Sequence, residues 1–419
     1  MARPTPSRVA CATRWTVSRS IAVARYAVCA TCCPVFQAAA NCVPCLPKGS
    51  IDVLRTATLF LFLVLLPLHA CLADERWPLT VTDALGREVT IPEKPKAVLL
   101  GSGFNLIALS LIHPDPVSLL AGWAGDMKGD NPAIYESFRR KFPEIDDVPL
   151  IGDGTGNFSF EAILSLNADL AILANWQANT ELGKQAIQYL EQIDVPVVVV
   201  DFNSDALKNT PDNMRLLGRI LERDEQAEAF ARFYEDRVKL IRDRVAAHPE
   251  PGPTVLMDAF PNDQTCCYAY GTGGLGEFIG ITGSRNIAAD LPRQGGMVSI
   301  EYIIAADPQA YIATASPGGT YSAFSVGPGV PADEARQTLK RATERPVLAD
   351  LSAIRNGRVY GLWNFFNAVP LNILAAEAFA HWLRPDLFAD IDPQKSLEEI
   401  NARFAAVPFE GAYWISLKE

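Results

Sequence analysis

One segment of the chain occurs twice. Ser159-Phe160-Glu161-Ala162-Ile163-Leu164, followed by Asp169-Leu170-Ala171-Ile172-Leu173, has a counterpart in Ser299-Ile300-Glu301-Tyr302-Ile303-Ile304 and Gln309-Ala310-Tyr311-Ile312-Ala313. The offset is 140 residues throughout, without a gap. Each copy reads as a Ser N-cap, a Glu in the first helical turn, an apolar helix face, a polar break and a strand. Between the copies, from Thr210 to His248, there is no strand signal. Thr210-Pro211 supplies an N-cap hydroxyl and then proline at the first helical position. Met214, Leu217 and Leu221 share a face; after a break near Arg223-Asp224, Phe230, Phe233, Arg237, Ile241 and Val245 continue the period. His248-Pro249-Glu250-Pro251-Gly252-Pro253 ends it. The same unit on both sides of a long helical stretch constrains the chain to two similar halves and a connector.

Each half alternates strands with helices. Short apolar runs stand at Ala97–Leu100, Ser118–Ala121, Leu170–Ala174, Val195–Val200, Thr254–Met257, Ala310–Ala313 and Val359–Leu362. Helical stripes lie between several of them, such as Leu106, Leu109 and Ile112. This alternation predicts an α/β protein with mostly parallel sheets.

The first seventy residues stand apart. Residues 59–66, LFLFLVLL, follow Arg55 and precede the small-residue stretch Ala70-Cys71-Leu72-Ala73, the layout of a secretory signal. The run is short for a permanent membrane span. Leu68-His69-Ala70-Cys71 resembles a lipobox, whose Cys would be lipid-modified; cleavage after Ala73 is the alternative and releases a soluble protein. Signals normally begin a chain, so residues 1–52, with Cys11, Cys29, Cys32, Cys33, Cys42 and Cys45, read as upstream translation and not as a zinc module. The expected divisions are 1–52 upstream segment, 53–73 signal peptide, 74–208 first lobe, 209–249 connecting helix region and 250–419 second lobe. Net charge is −11 for the chain, and −17 from residue 74 onward, because seven basic and one acidic residue precede it. That balance argues against nucleic-acid binding. Of the cysteines after Cys71, only the neighbours Cys266 and Cys267 remain, and adjacent cysteines cannot staple a fold.

Val81-Thr82-Asp83-Ala84-Leu85-Gly86-Arg87-Glu88-Val89-Thr90-Ile91-Pro92, followed by the run Ala97–Leu100, resembles the opening strands of the periplasmic iron-siderophore and vitamin B12 binding proteins. The two Ser-x-Glu units match as well, and the likeness spans roughly residues 80–400. The resemblance implies a solute-binding protein of an ABC importer, with two α/β lobes joined by one long connecting helix (the class III, helical-backbone architecture). It implies little hinging. It also implies that Glu161 and Glu301 pair with arginines of a permease dimer. Taken singly, each Glu has an ordinary role, since a carboxylate in the first helical turn offsets the helix dipole. Membrane contact is expected only through the permease or a lipid at Cys71.

A ligand between the lobes would meet the loops at the C-terminal ends of strands. Those loops offer Phe104, Trp123, Trp176, Tyr268, Arg293, Tyr321, Trp363 and Phe366 as ligand-binding candidates. Aromatic area with an Arg clamp suits a bulky, partly planar anion such as a ferric siderophore; a corrinoid or haem is the alternative. Core packing competes with a ligand role for every one of these rings. Gly271-Thr272-Gly273-Gly274-Leu275-Gly276 fits a dinucleotide motif formally, yet turn chemistry before a helix near Glu277 explains it. The scattered His113, His248 and His381 form no metal motif, and no resident cofactor is expected. No nucleophile elbow or paired-carboxylate signature appears, so no catalytic residue is named. A periplasmic enzyme acting on a metal chelate is the alternative of another class.

Overall fold

A computed structural model describes residues 76–418 except 263–265 and 320–321. The signal segment, Cys71 and Tyr321 lie outside the described residues. A hairpin comes first, β1 (Leu79–Thr82) paired antiparallel with β2 (Glu88–Ile91). The buried Asp83 carboxylate organises its turn, accepting from the Leu85 and Arg87 amides at 2.9 and 3.0 Å and from the Arg87 guanidinium at 2.7 Å.

The first lobe is a five-stranded sheet of β3 (Val98–Leu100), β4 (Leu120–Ala124), β5 (Leu150–Gly152), β6 (Leu170–Ala174) and β7 (Val197–Val200). Every pair is parallel, in the order β5-β4-β3-β6-β7. These strands are short and mostly apolar, as a sheet covered by helices on both faces requires. The order reverses between β3 and β6, and in open α/β sheets such a reversal opens a crevice at the C-terminal strand ends. The run Ser118–Ala121 divides differently from expectation. Val117–Leu119 is a 3-10 turn, with Asp115 accepting from the Ser118 amide at 3.2 Å, and the strand begins at Leu120.

The second lobe adds β8 (Thr254–Ala259), β9 (Tyr268–Ala269), β10 (Arg285–Asn286), β11 (Gly296–Met297), β12 (Ala310–Ala315), β13 (Gly327–Pro328), β14 (Val359–Trp363), β15 (Gly411–Ala412) and β16 (Trp414–Ser416). Its sheet runs β11-β9-β8-β12-β14-β16, with β10 beside β8. The centre, β8, β12 and β14, is parallel; β9, β11 and β16 pair antiparallel, so this sheet is mixed.

The connector is helical, as its period predicts, with the break where expected. Its first part, however, is the helix Ala206–Ile220, which starts before Thr210 and carries Pro211 inside. Asp205 begins it in the left-handed region at φ 48°. Proline so near a helix start loses only one intrahelical bond, and the buried Leu207 and Met214 hold the first turns down. The second part, Asp224–Ala247, folds back on the first: Arg215 bonds both Glu228 and Glu235 at 2.6 Å. It then reaches the second lobe, where Arg237 meets Glu377 at 3.1 Å and Arg244 meets Asp390 at 2.5 Å.

One apolar cluster runs through both lobes, with Phe104 and Trp123 from the first and Trp363, Phe366 and Phe379 from the second. Phe104 stacks on Phe365 across the junction at 4.3 Å between ring centroids, and Trp363 donates its indole N–H to Asn131 at 2.9 Å. Separating the lobes would expose this shared core, which opposes wide hinging.

Candidate functional site

Between the lobes, where the strand ends converge, lies a pocket of about 160 Å³. Asn203 and Ser204 line it from the loop after β7; Tyr270, Gly273, Arg293 and Gln294 line it from the loops around β9 and β11. Asn367, beyond β14, completes it. Local chemistry builds each wall. One oxygen of Asp201 accepts from the Asn203 and Ser204 amides, both at 2.9 Å, an Asx turn that aims those side chains inward. On the other wall the glycines permit close approach. A Cβ at Gly271 would fall 2.1 Å from the Pro292 carbonyl oxygen. The Gly273 amide donates to the Arg293 carbonyl at 2.7 Å, which positions the Arg293 loop.

Two polar links cross the pocket. Asn203 donates to the Asn367 carbonyl at 3.0 Å, and Arg293 pairs with Asp205 at 2.5 Å. Tyr270 is buried, its hydroxyl bonded to Asn364, and burial raises its pKa well above the ordinary phenol value. The pocket thus offers amide, hydroxyl and guanidinium donors with one neutral phenol, a set suited to holding an uncharged or anionic polar group.

The ring candidates from the sequence divide into two groups. Trp176 and Tyr268 are each 42% exposed. Trp176 follows Asn175, whose amide bonds Ser204 of the pocket at 3.3 Å. Tyr268 lies two residues before Tyr270. Trp123, Phe104, Trp363 and Phe366 are instead core residues, and expecting them on a cleft wall requires correction. Trp363 and Phe366 have 0% exposure and meet edge to face at 5.2 Å. Trp123 stacks against Tyr135 at 6.0 Å, and Phe104 is covered by Phe365. Trp123 and Trp363 stand at strand ends, Phe104 begins the helix Asn105–Ser110 and Phe366 lies in the turn after β14, yet all four side chains enter the shared apolar cluster.

Asn203, Ser204 and Asn367 were not read as site residues. The signal for two of them was present in Asp201-Phe202-Asn203-Ser204, turn chemistry directly after a β-branched strand. The glycine run does form a turn before the helix Glu277–Ile281, and that turn is also part of the pocket wall.

The repeated units fold as their sequences predict. Ser159 accepts from the Ala162 amide at 3.4 Å and Ser299 from the Tyr302 amide at 3.2 Å. Glu161 and Glu301 stand exposed in the first turns. Apolar side chains surround each in sequence and are also exposed: Leu164 beside Glu161, and Ile300, Tyr302 and Ile304 beside Glu301.

Among the described residues one set of metal-ligating types converges, Asp258 with Cys266 and Cys267. The two sulfurs are joined in a disulfide. Asp258 accepts from Tyr311 and from Arg345, both at 2.8 Å. In this state the cluster presents an ion pair and a disulfide, not a free donor set.

Comparison with known proteins agrees with this geometry. Residues 139–364 match the family described as periplasmic binding protein. An uncharacterized ABC transporter substrate-binding lipoprotein of Bacillus subtilis, YvrC, is 22% identical over 325 residues, covering 75% of this chain and 88% of the relative. The crystal structure of the TroA-like periplasmic binding protein FepB from Veillonella parvula superposes with a TM-score of 0.72 at 22% identity, covering 81% of this chain and all of that one. Molybdate-bound MolA of Haemophilus influenzae gives 0.59 at 18% identity, covering 79% of this chain and 99% of that one.

Proposed function

Because the chain belongs to the periplasmic binding protein family, as a solute-binding protein of an ABC importer, we propose that it captures a ferric siderophore between its lobes and delivers it to the permease. The observation that carries this reading is a polar inter-lobe pocket lined by Arg293, Asn203 and Ser204, with exposed Trp176 next in sequence to Asn175, which bonds Ser204, and exposed Tyr268 two residues before the lining Tyr270. Large exposed aromatics at a strand-end crevice offer stacking area to a planar chelate, while the donors below bind its anionic oxygens. Much of such a ligand would sit at the mouth, since 160 Å³ holds only one edge of it. Glu161 and Glu301, one per lobe and both exposed, would meet cationic groups of a two-fold permease, with their apolar neighbours supplying buried area. Relatives of this chain are solute-binding proteins, and no catalytic step belongs to the reading. Export rests on the apolar run at residues 59–66. The description of the Bacillus relative as a lipoprotein favours a lipid anchor at Cys71.

A second reading has its own support. The small, polar pocket volume suits a compact oxyanion, the kind of ligand that MolA is described as holding. Calorimetric titration with ferric tris-catecholate, ferric tris-hydroxamate, cobalamin, haemin and molybdate separates the two. The siderophore reading expects saturation by one ferric chelate at micromolar concentration or below. Saturation by molybdate alone would replace it with the oxyanion reading. Arg293 is half exposed and already paired with Asp205, so Arg293→Ala should weaken the chelate by only about 0.5–1 kcal/mol.

A further inference from the structure

A second concavity lies away from the pocket between the strand ends. It is a groove of about 580 Å³ whose walls come from both lobes and the connector. Leu111 and His113 follow the helix Asn105–Ser110, and Lys141 ends the helix Pro132–Lys141. Arg223 precedes the helix Asp224–Ala247, and Arg403 and Phe404 close the groove from the end of the helix Pro393–Arg403.

The groove collects three cations, Lys141, Arg223 and Arg403, in a chain that carries −11 overall. Many arginines and lysines elsewhere pair with carboxylates, but the partners of Lys141 and Arg223 are neutral. Lys141 donates to the Ala406 carbonyl at 2.5 Å, a neutral acceptor. Arg223 Nη2 lies 3.3 Å from Nε2 of His113, and its Nε is buried with no hydrogen-bond partner. Arg403 bonds Glu399, a carboxylate it shares with Arg237, which also meets Glu377, so this pair of arginines is charge-matched. The acidic group among the groove's own residues is Glu225. Burial, and then the Arg223 charge, hold the His113 imidazole below its ordinary pKa, so it adds little positive charge of its own near neutral pH. Leu111, Ile112, Pro114 and Ala405 make the remaining surface apolar.

A guanidinium and an ammonium whose partners are neutral keep their charge free for an anion. Two unpaired cations beside an apolar floor, within a concave volume of this size, define the acceptor's chemistry. We propose that this groove is a second ligand site, for a small amphiphilic anion carrying a phosphate or carboxylate head on an apolar body. The head would take the Arg223 guanidinium and the Lys141 ammonium, and the body would lie on Leu111, Ile112 and Phe404. A planar membrane surface fits less well, because the cations sit within a recess.

The test uses hexyl phosphate, inorganic phosphate, hexanol and phosphatidylglycerol vesicles against the full protein. The expected result is saturable calorimetric binding of hexyl phosphate, tighter than inorganic phosphate, with none for hexanol. Arg223→Gln and Lys141→Gln should each weaken it at least tenfold, while Lys340→Gln, a charge control outside the groove, should not. The His113 imidazole resonances should report a raised pKa in the complex. No saturable binding of hexyl phosphate, or equal binding by both groove variants with native circular dichroism, would overturn the proposal. So would Lys141-dependent sedimentation with vesicles in the absence of any hexyl phosphate binding. Arg223 and Lys141 line this groove and not the inter-lobe pocket, so binding lost in their variants is independent of the siderophore reading.

Discussion

Arg345→Ala should be among the most destabilising single changes in the second lobe. Asp258 lies on β8 with 1% of its surface exposed. Its one oxygen accepts from Arg345 Nη2 and from the Tyr311 hydroxyl, both at 2.8 Å, and Arg345 Nη1 also donates to the Asn262 carbonyl at 3.1 Å. Removing the guanidinium leaves a buried carboxylate without its counter-charge, which typically costs about 3–5 kcal/mol. Protonation limits the cost. Burial already raises the Asp258 pKa, against the pull of Arg345, and losing Arg345 raises it further. A carboxyl whose folded pKa is raised holds a proton that the unfolded chain has released. Stability therefore falls as pH rises from the ordinary carboxylate value through the raised one. The loss in Arg345→Ala should accordingly be larger at pH 8 than at pH 5. Adding Asp258→Asn to Arg345→Ala should recover at least half of it at pH 8. Urea unfolding at both pH values measures all three. A loss below about 1 kcal/mol at pH 8, or one that grows toward pH 5, would refute the reasoning.

Two further outcomes follow from the same structure. Glu161→Ala with Glu301→Ala should leave ligand affinity unchanged and abolish uptake in cells carrying the cognate permease; lost ligand affinity would remove the docking role. Burial pushes the Asp126 carboxyl up to about 6, although Ser102 and the Gly103 amide both bond it at 2.6 Å. Its folded pKa being raised, it contributes stability below pH 4 that is lost as pH passes 6, an effect of at most roughly 3 kcal/mol. Asp126→Asn should flatten that part of the stability profile, and an unchanged slope would show that another group sets it.

The legible part of this fold was periodic. Val197–Val200 and Leu170–Ala174 show themselves as strands because both faces are covered, so apolar residues run without a break. The Ser-x-Glu units were legible because capping is local, set by a hydroxyl and an amide three residues apart. The start of the connector was not. Thr210-Pro211 carries a strong helix-start signal, but tertiary burial of Leu207 extends the helix four residues upstream. The candidate site was legible by place and only partly by residue. A strand-end tryptophan reads the same whether it faces a cleft or a core. Trp363 packs inward because Asn131, more than two hundred residues earlier, accepts its indole N–H. Trp176, two residues past the end of β6, remains exposed. Nothing local distinguishes the two.

Trp176 also makes the central claim measurable, since it is the exposed tryptophan among the described residues. Intrinsic fluorescence should be titrated with ferric tris-catecholate and ferric tris-hydroxamate in the wild-type protein and in Trp176→Phe. Saturable quenching by one chelate in the wild type, with most of that signal lost in Trp176→Phe, is the predicted result. No saturable response to either chelate, or the same quenching in both proteins, would contradict the placement of a ferric chelate at this crevice.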